Sequence, residues 1–357
     1  MEKDDIKVLL ISAVPPPVGG IATWTEEYLQ YCRKKGYKTK IVNESMVGKR
    51  ALTASDSWNI YDEAKRCFDI WHKINKELKT FSPDIVHLNT ACSQTGVIRD
   101  LISIFFIKLH KKPCVLHCHC NIPDQMRTGR VKKLFFKNMV KLSSTVLVLN
   151  SSSLNYLEHL QKGDYEVVPN FIKDDFIVGQ RTYNEKINTI IYIGHVRKTK
   201  GIDELLQTAY NYPNIKFLLA GPVTEDYSKE EILKKSKENV LLLGAVSLDK
   251  VKELLDKADI FILPSYTEGF SRALLEAMAR GIPIITTDVG ANRDMIEEKG
   301  GCIIQKEDSL GIINAIKHME SFQTRAIMGE WNIQKVKKFY SRSSVMKRIY
   351  TIYQNIL

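Results

Sequence analysis

Short apolar runs recur along the chain, each followed by a polar stretch and then by residues with apolar positions at helical spacing. In the first half the runs are KVLLISA, KTKIVNE, DIVHLNT, PCVLHCHC, STVLVLN and YEVVPN. In the second they are TIIYIG, KFLLAG, VLLLGAV, IFILPS, PIITTD and GCIIQ. Strands that stay apolar on both alternating faces, with helices between them, belong to parallel sheets covered on both sides. The predicted class is therefore α/β, with two doubly wound Rossmann-like parallel-sheet domains. The pattern falters where DD, GQ and NEK interrupt it. This places a first domain over 1–172, a linker over 173–186 and a second domain over 187–334. Beyond Trp331 the chain reads as helical, with Val345, Ile349, Ile352, Tyr353 and Ile356 at helical spacing over a last segment 335–357. No internal repeat or low-complexity tract interrupts this scheme.

Two loops carry candidate chemistry. After IFILPS the chain reads EGFSRALLE, with Glu268 in the loop and Glu276 inside the helix that follows. Ser271 is the expected N-cap, because its hydroxyl can accept an orphaned backbone N–H. The free amides of that first turn, beside Gly269 and Phe270, suit a phosphate group. From Ser271 to Glu276 the helix rises roughly 7–8 Å, on the order of the distance from a diphosphate to its ribose. A second loop, GHVRKTKG from Gly194 to Gly201, follows TIIYIG and opens another helix. Its cations Arg197, Lys198 and Lys200 suit a diphosphate, since Arg offers a planar fork and Lys a compact charge.

These motifs resemble those of the retaining nucleotide-sugar glycosyltransferases of family four, which have the GT-B fold. The two glutamates seven residues apart match Glu268 and Glu276, and EGFSRALLEAMARGIPII follows the family closely. Gly194, Lys200 and Gly201 match its basic loop, but His195 stands where the family has Arg, and Arg197 is the candidate replacement. Near the N-terminus PPPVGG follows the first strand, and Gly19 and Gly20 match the family's glycine loop beneath the donor. Glycine lets a backbone approach a ligand with no Cβ in the way. No GxGxxG follows that strand, so a nicotinamide or flavin cofactor is not expected.

The resemblance implies two domains facing a central donor cleft, with the last helix returning to the N-terminal domain. It also implies transfer of a sugar from a nucleoside diphosphate to an acceptor hydroxyl, with retention at the anomeric carbon. Glu268 would hold sugar hydroxyls, Glu276 the ribose, and backbone around Leu275 the phosphates or ribose. Lys200 and Arg197 would stabilise the leaving diphosphate with the amides near Phe270 and Ser271. In HCHC, strand alternation sends His117 and His119 to one face and Cys118 and Cys120 to the other, which argues against a zinc site. His119 matches a family histidine that faces the donor sugar, whereas His87 reads as a core histidine. No Asp-x-Asp occurs, so no metal is expected on the diphosphate, and the only small molecule implied is the donor substrate.

Composition and charge refine this picture. A chain of 357 residues with 44% apolar and 26% charged positions can fill two cores. MEKDDIKVLLISAV reads as a first strand and not a signal peptide, and LISIFFIKL is too short to span a bilayer. Seven cysteines without framework spacing fit reduced thiols and a cytoplasmic location. Between Arg99 and Lys141 stand ten basic and two acidic residues, a net of +8, interleaved with Phe, Leu and Met. Such stretches can lie on anionic lipid, with Lys132, Lys133 and Lys137 as the candidate patch. Phosphates of nucleic acid would attract the same charge. Because related transferases act on lipid-linked acceptors, the expected partners are a glycan or lipid-linked acceptor and the inner face of the cell membrane, not nucleic acid. Cell-surface polysaccharide or glycolipid assembly is the implied setting. Two alternatives remain open at this point: a sugar-nucleotide epimerase of the same fold, and a non-catalytic donor-binding or scaffold subunit.

Overall fold

The computed structural model describes residues 6–16, 19–45, 60–224 and 227–357. The chain divides into two compact units, Met1–Pro169 with Met346–Leu357, and Asn170–Val345.

All twelve apolar runs are strands. The first unit holds β1 (Val8–Ser12), β2 (Thr39–Asn43), β3 (Ile85–Thr90), β4 (Cys114–Cys118), β5 (Thr145–Val148) and β6 (Tyr165–Val167), in the order β2-β1-β3-β4-β5-β6. The second holds β7 (Thr189–Ile193), β8 (Lys216–Ala220), β9 (Val240–Gly244), β10 (Ile260–Leu263), β11 (Ile284–Thr287) and β12 (Gly301–Ile304), in the order β12-β11-β10-β7-β8-β9. Every pairing is parallel. Burial follows position in the sheet. The central strands β1, β3, β4, β10 and β11 are buried at every residue, while the edge strands β2 and β9 are only partly covered. Helices on both faces enforce this, and it explains why the central runs are mostly apolar, the polar exceptions in β3 and β4 being buried side chains such as His87, Asn89 and His117.

In each sheet the strand order reverses once, between β1 and β3 and between β7 and β10. Adjacent chain connections leave a doubly wound sheet in opposite directions at such a point, which opens a crevice at the carboxyl ends of the two strands. Both candidate loops of the second unit spring from that place, one after β7 and the other after β10.

Two boundaries differ from expectation. The stretch 173–186 is packed on the second unit. Arg181 Nη1 donates to the carbonyls of Leu255 at 3.1 Å and Arg280 at 2.9 Å, Tyr183 donates to the Gly281 carbonyl at 3.0 Å, and Asn184 donates to Asp259 at 2.8 Å. Its partners are mostly backbone carbonyls at helix ends, which a polar sequence can satisfy without any apolar periodicity. The terminal helical region is also broken. Helix Phe322–Lys335 runs into a π turn, Val336–Tyr340, and Ser341 is extended before helix Arg342–Ile356 begins. At the break, Ile172 N–H donates to Tyr340 O and Arg342 N–H to Ile172 O, at 2.9 and 2.8 Å. The segment assigned to the first unit therefore begins at Met346, later than the expected residue 335.

Candidate active site

In the second unit the two loops are fastened to each other before any ligand is considered. Tyr266 N–H donates to Thr199 O at 2.9 Å, joining the loop after β10 to the loop after β7. Gly201 closes the basic loop at φ +70°, and a Cβ there would lie 2.2 Å from the Pro264 carbonyl oxygen, so no other residue fits without moving the backbone. Gly290, at φ +55°, does the same for the acidic loop, since a Cβ would meet the Glu268 and Gly269 carbonyls at 2.3 and 2.6 Å.

This frame brings Lys200 Nζ to 2.6 Å from Glu268 Oε1, both side chains being largely covered. The two residues lie 68 positions apart, each in the loop that leaves its strand at the switch point. Arg197 Nε donates to Thr199 Oγ1 at 2.7 Å, which turns its guanidinium along the same loop. Ser271 is the N-cap of helix Arg272–Ala279, accepting the Leu274 N–H at 3.2 Å, as the sequence predicts. Together these elements line a pocket of about 330 Å³ that includes Gly194, Arg197, Lys200, Glu268, Phe270 and Ser271. Beneath it Tyr192 donates to the His195 carbonyl at 2.7 Å, and burial beside Glu268 pushes its phenol well up, so it stays a neutral donor. Phe270 is buried with its ring edge-to-face on Tyr340, at 5.9 Å between centroids.

Six of the lining residues lie outside the sequence candidates, and two of them, His195 and Arg272, carry basic side chains. His195 is exposed. Arg272 is the first residue of its helix, where the macrodipole disfavours a cation unless an anion lies nearby. Leu275 and Glu276 lie farther along the helix and are not among the lining residues; Leu275 is buried and Glu276 half-buried.

The other predicted residues belong to the first unit. Gly19 precedes helix Gly20–Lys35 in extended conformation, and a Cβ at Gly19 or Gly20 would meet nothing within 4 Å. The open space leaves the glycines without a steric requirement of the protein's own. His119 follows β4 and bonds Asn89 Oδ1 through Nε2 at 3.0 Å. The alternation expected for HCHC is observed. His117 and His119 stack 4.1 Å apart beside Trp24, while Cys118 and Cys120 join Cys92 in the core on the opposite face. Among the described residues no cluster of metal-binding side chains occurs.

Two family models match the chain, "Glycosyltransferase Family 4" over residues 18–176 and "Glycosyl transferases group 1" over residues 174–335. The chain belongs to this glycosyltransferase family. Among its relatives is the putative teichuronic acid biosynthesis glycosyltransferase TuaC of Bacillus subtilis, 26% identical over 260 residues that make up 68% of this chain and 62% of the relative. Another is the alpha-galactosylglucosyldiacylglycerol synthase of Streptococcus pneumoniae, 24% identical over 67% of this chain and 71% of the relative. The chain thus spans about three fifths of the length of the first of these family members. The fold is shared with Anabaena HepE, solved in complex with UDP and glucose, at a TM-score of 0.72 and 15% identity, covering 98% of this chain and all of that one.

Proposed function

We propose that this protein transfers a glycosyl group from a nucleoside-diphosphate sugar to an acceptor hydroxyl, with retention at the anomeric carbon and without a metal ion. The Lys200–Glu268 pair at the switch point of the second sheet carries this reading. Breaking the bond between sugar and diphosphate builds negative charge on phosphate and positive charge on the sugar ring. Lys200 can keep one N–H on Glu268 and aim its others at the phosphates, because an ammonium has three donors. Arg197, Arg272 and the helix amides at Ser271 add to the same field, which replaces the charge that a metal would supply. Glu268, fixed by Lys200 and by Gly290 behind it, is placed to hold sugar hydroxyls. Glu276, one turn into the helix, is the candidate hold on the ribose, and His119 of the first unit the candidate contact to the sugar.

The names of the relatives support an acceptor in envelope polysaccharide or glycolipid assembly, and the UDP complex of HepE supports a uridine nucleotide. Association with an anionic membrane surface belongs to the same proposal. Helices Gln94–Leu109 and Arg130–Leu142 pack side by side and leave Phe105, Leu109, Val131 and Leu134 exposed among Lys108, Lys133 and Lys137. Lys132 is less suited than its neighbours, since it is half-buried and donates to the Gln125 carbonyl at 2.8 Å. Among the described residues no helix is long and apolar enough to cross a membrane.

Titration calorimetry with UDP, GDP and ADP tests the donor reading. One of the three, UDP on this reading, should bind, and Lys200→Ala should weaken it at least tenfold, about 1.4 kcal/mol. Absence of heat with all three nucleotides would sink the proposal.

A further inference from the structure

The first unit contains a buried chain of polar side chains, of which the proposed transfer uses only His119. It begins on the last helix. Tyr28 and Tyr353 pair through their hydroxyls at 3.1 Å, and Tyr353 OH lies 2.5 Å from His87 Nδ1. His87 Nε2 lies 3.1 Å from Asn89 Oδ1 and 3.3 Å from His117 Nδ1, and the Asn89 oxygen lies 3.0 Å from His119 Nε2. The amide nitrogen of Asn89 donates to Ser12 Oγ at 2.9 Å, and Ser12 pairs with Thr25 at 2.6 Å. Tyr28, Tyr353, His87 and Asn89 are each at most 2% exposed. In such surroundings every donor needs an acceptor, so the directions of the bonds constrain one another.

Those directions can be worked out. Because Asn89 spends its NH2 on Ser12, its oxygen faces the two histidines and must receive a proton from each. That places a hydrogen on Nε2 of both His87 and His119. With its proton on Nε2, neutral His87 has Nδ1 as an acceptor, which takes the Tyr353 hydroxyl hydrogen; Tyr353 in turn accepts from Tyr28. Burial, which holds the His87 pKa down at about 3, keeps that ring neutral across the physiological range and the directions fixed. The His119 ring is meanwhile held edge-to-face against Trp24, at 5.2 Å between centroids.

We propose that Asn89 is a positioning residue for His119, fixing its proton on Nε2 and hence Nδ1 as its acceptor nitrogen. The inference deepens the reading of His119 as a sugar contact and rests on it for its functional meaning. If the Asn89 carboxamide is removed, His119 Nε2–H loses its acceptor and the ring can carry its proton on either nitrogen.

Long-range proton–nitrogen correlation spectra of the full chain labelled with 15N-histidine read the tautomer directly, with His119 assigned by its loss in His119→Gln. Wild type should show His119 as the Nε2–H tautomer alone. Asn89→Ala should introduce a second His119 tautomer, and Asn89→Asp, which keeps an acceptor oxygen, should restore the single form. In transfer assays Asn89→Ala should lower kcat on the order of tenfold while leaving calorimetric binding of UDP unchanged, since misplacement of one contacting group acts on the reacting geometry. A His119 signal that stays in one tautomer in Asn89→Ala would overturn the proposal. Failure of wild type to bind any nucleotide would instead count against the donor reading, leaving the tautomer result to stand by itself.

Discussion

The two units have sheets of six parallel strands and one reversal of strand order each, yet the chemistry at the two reversals is opposite. Around β7 and β10 stand an ammonium, two guanidiniums and a carboxylate, all partly open to solvent. Around β1, β3 and β4 stand a buried phenol pair, neutral imidazoles, a carboxamide and two hydroxyls. Topology supplies a crevice in both cases, and the side chains decide whether it offers net charge or directed neutral hydrogen bonds. Charge suits a ligand that is itself an anion. A neutral network of directed hydrogen bonds suits a task in which orientation matters more than attraction.

The largest expected effect breaks the charged half of this contrast. Lys200→Ala should lower kcat by about 10²- to 10³-fold, about 3–4 kcal/mol of barrier, as loss of a donor aimed at developing charge does elsewhere. Initial rates with the donor identified by nucleotide binding check this, and a loss below tenfold would remove Lys200 from the chemistry.

How far this contrast could be read beforehand differs between the halves. The convergence of Glu268, Ser271, Arg197 and Lys200 on one pocket was legible, because they sit in two short motifs that each follow a strand directly, whereas Leu275 and Glu276 lie outside the lining. Arg272 was present in the same motif and passed over, since a cation beside a good N-cap looks ordinary until its place on the helix is considered. The strands were legible for a physical reason: most are covered on both faces and so carry apolar residues on both, which sets them off from the polar stretches between them. The neutral network was not. Its members Ser12, Tyr28, His87, Asn89, His119 and Tyr353 come from five separate places, and His87 and Tyr353 are 266 residues apart. Nothing local distinguishes a core histidine that is only satisfied from one that directs its neighbours. The packing of 173–186 was hidden likewise, because carbonyls at helix ends leave no mark on the sequence that binds them.

A second, intermediate effect tests the neutrality of the first unit. The folded pKa of His87, about 3, lies below its ordinary 6.5, so the unfolded chain takes up this proton first. The stabilisation is complete above pH 6.5 and is lost as pH falls through the interval down to about 3, at up to about 1.4 kcal/mol per pH unit. His117, pushed down by burial, adds in the same direction. Glu44, raised to about 8 by burial, opposes them, its contribution being complete below 4.5 and lost as pH rises through 8. The difference between wild type and His87→Gln isolates the one proton. Urea midpoints from pH 4 to 7 should show a shallower acid loss in the variant, and parallel curves would refute the assignment.

The smallest effect concerns the outer surfaces. Replacing Lys133 and Lys137 together with Glu should weaken sedimentation with anionic liposomes by about 1 kcal/mol per lysine removed, and added salt should do the same to wild type. Unchanged sedimentation would show that the exposed Phe105, Leu109, Val131 and Leu134 face something other than lipid.

The return of the chain at Met346 also has a bearing on how the molecule is made. Tyr353 is wholly enclosed and closes the polar core of the unit that contains β1, although more than three hundred residues are synthesised between β1 and this side chain. A nascent chain emerging N-terminus first would complete the second sheet while the first still lacks its last helix. The earlier-born half would finish last, and a ribosome that stopped before the last helix would release a chain whose second sheet is whole but whose first unit lacks the helix that closes its core.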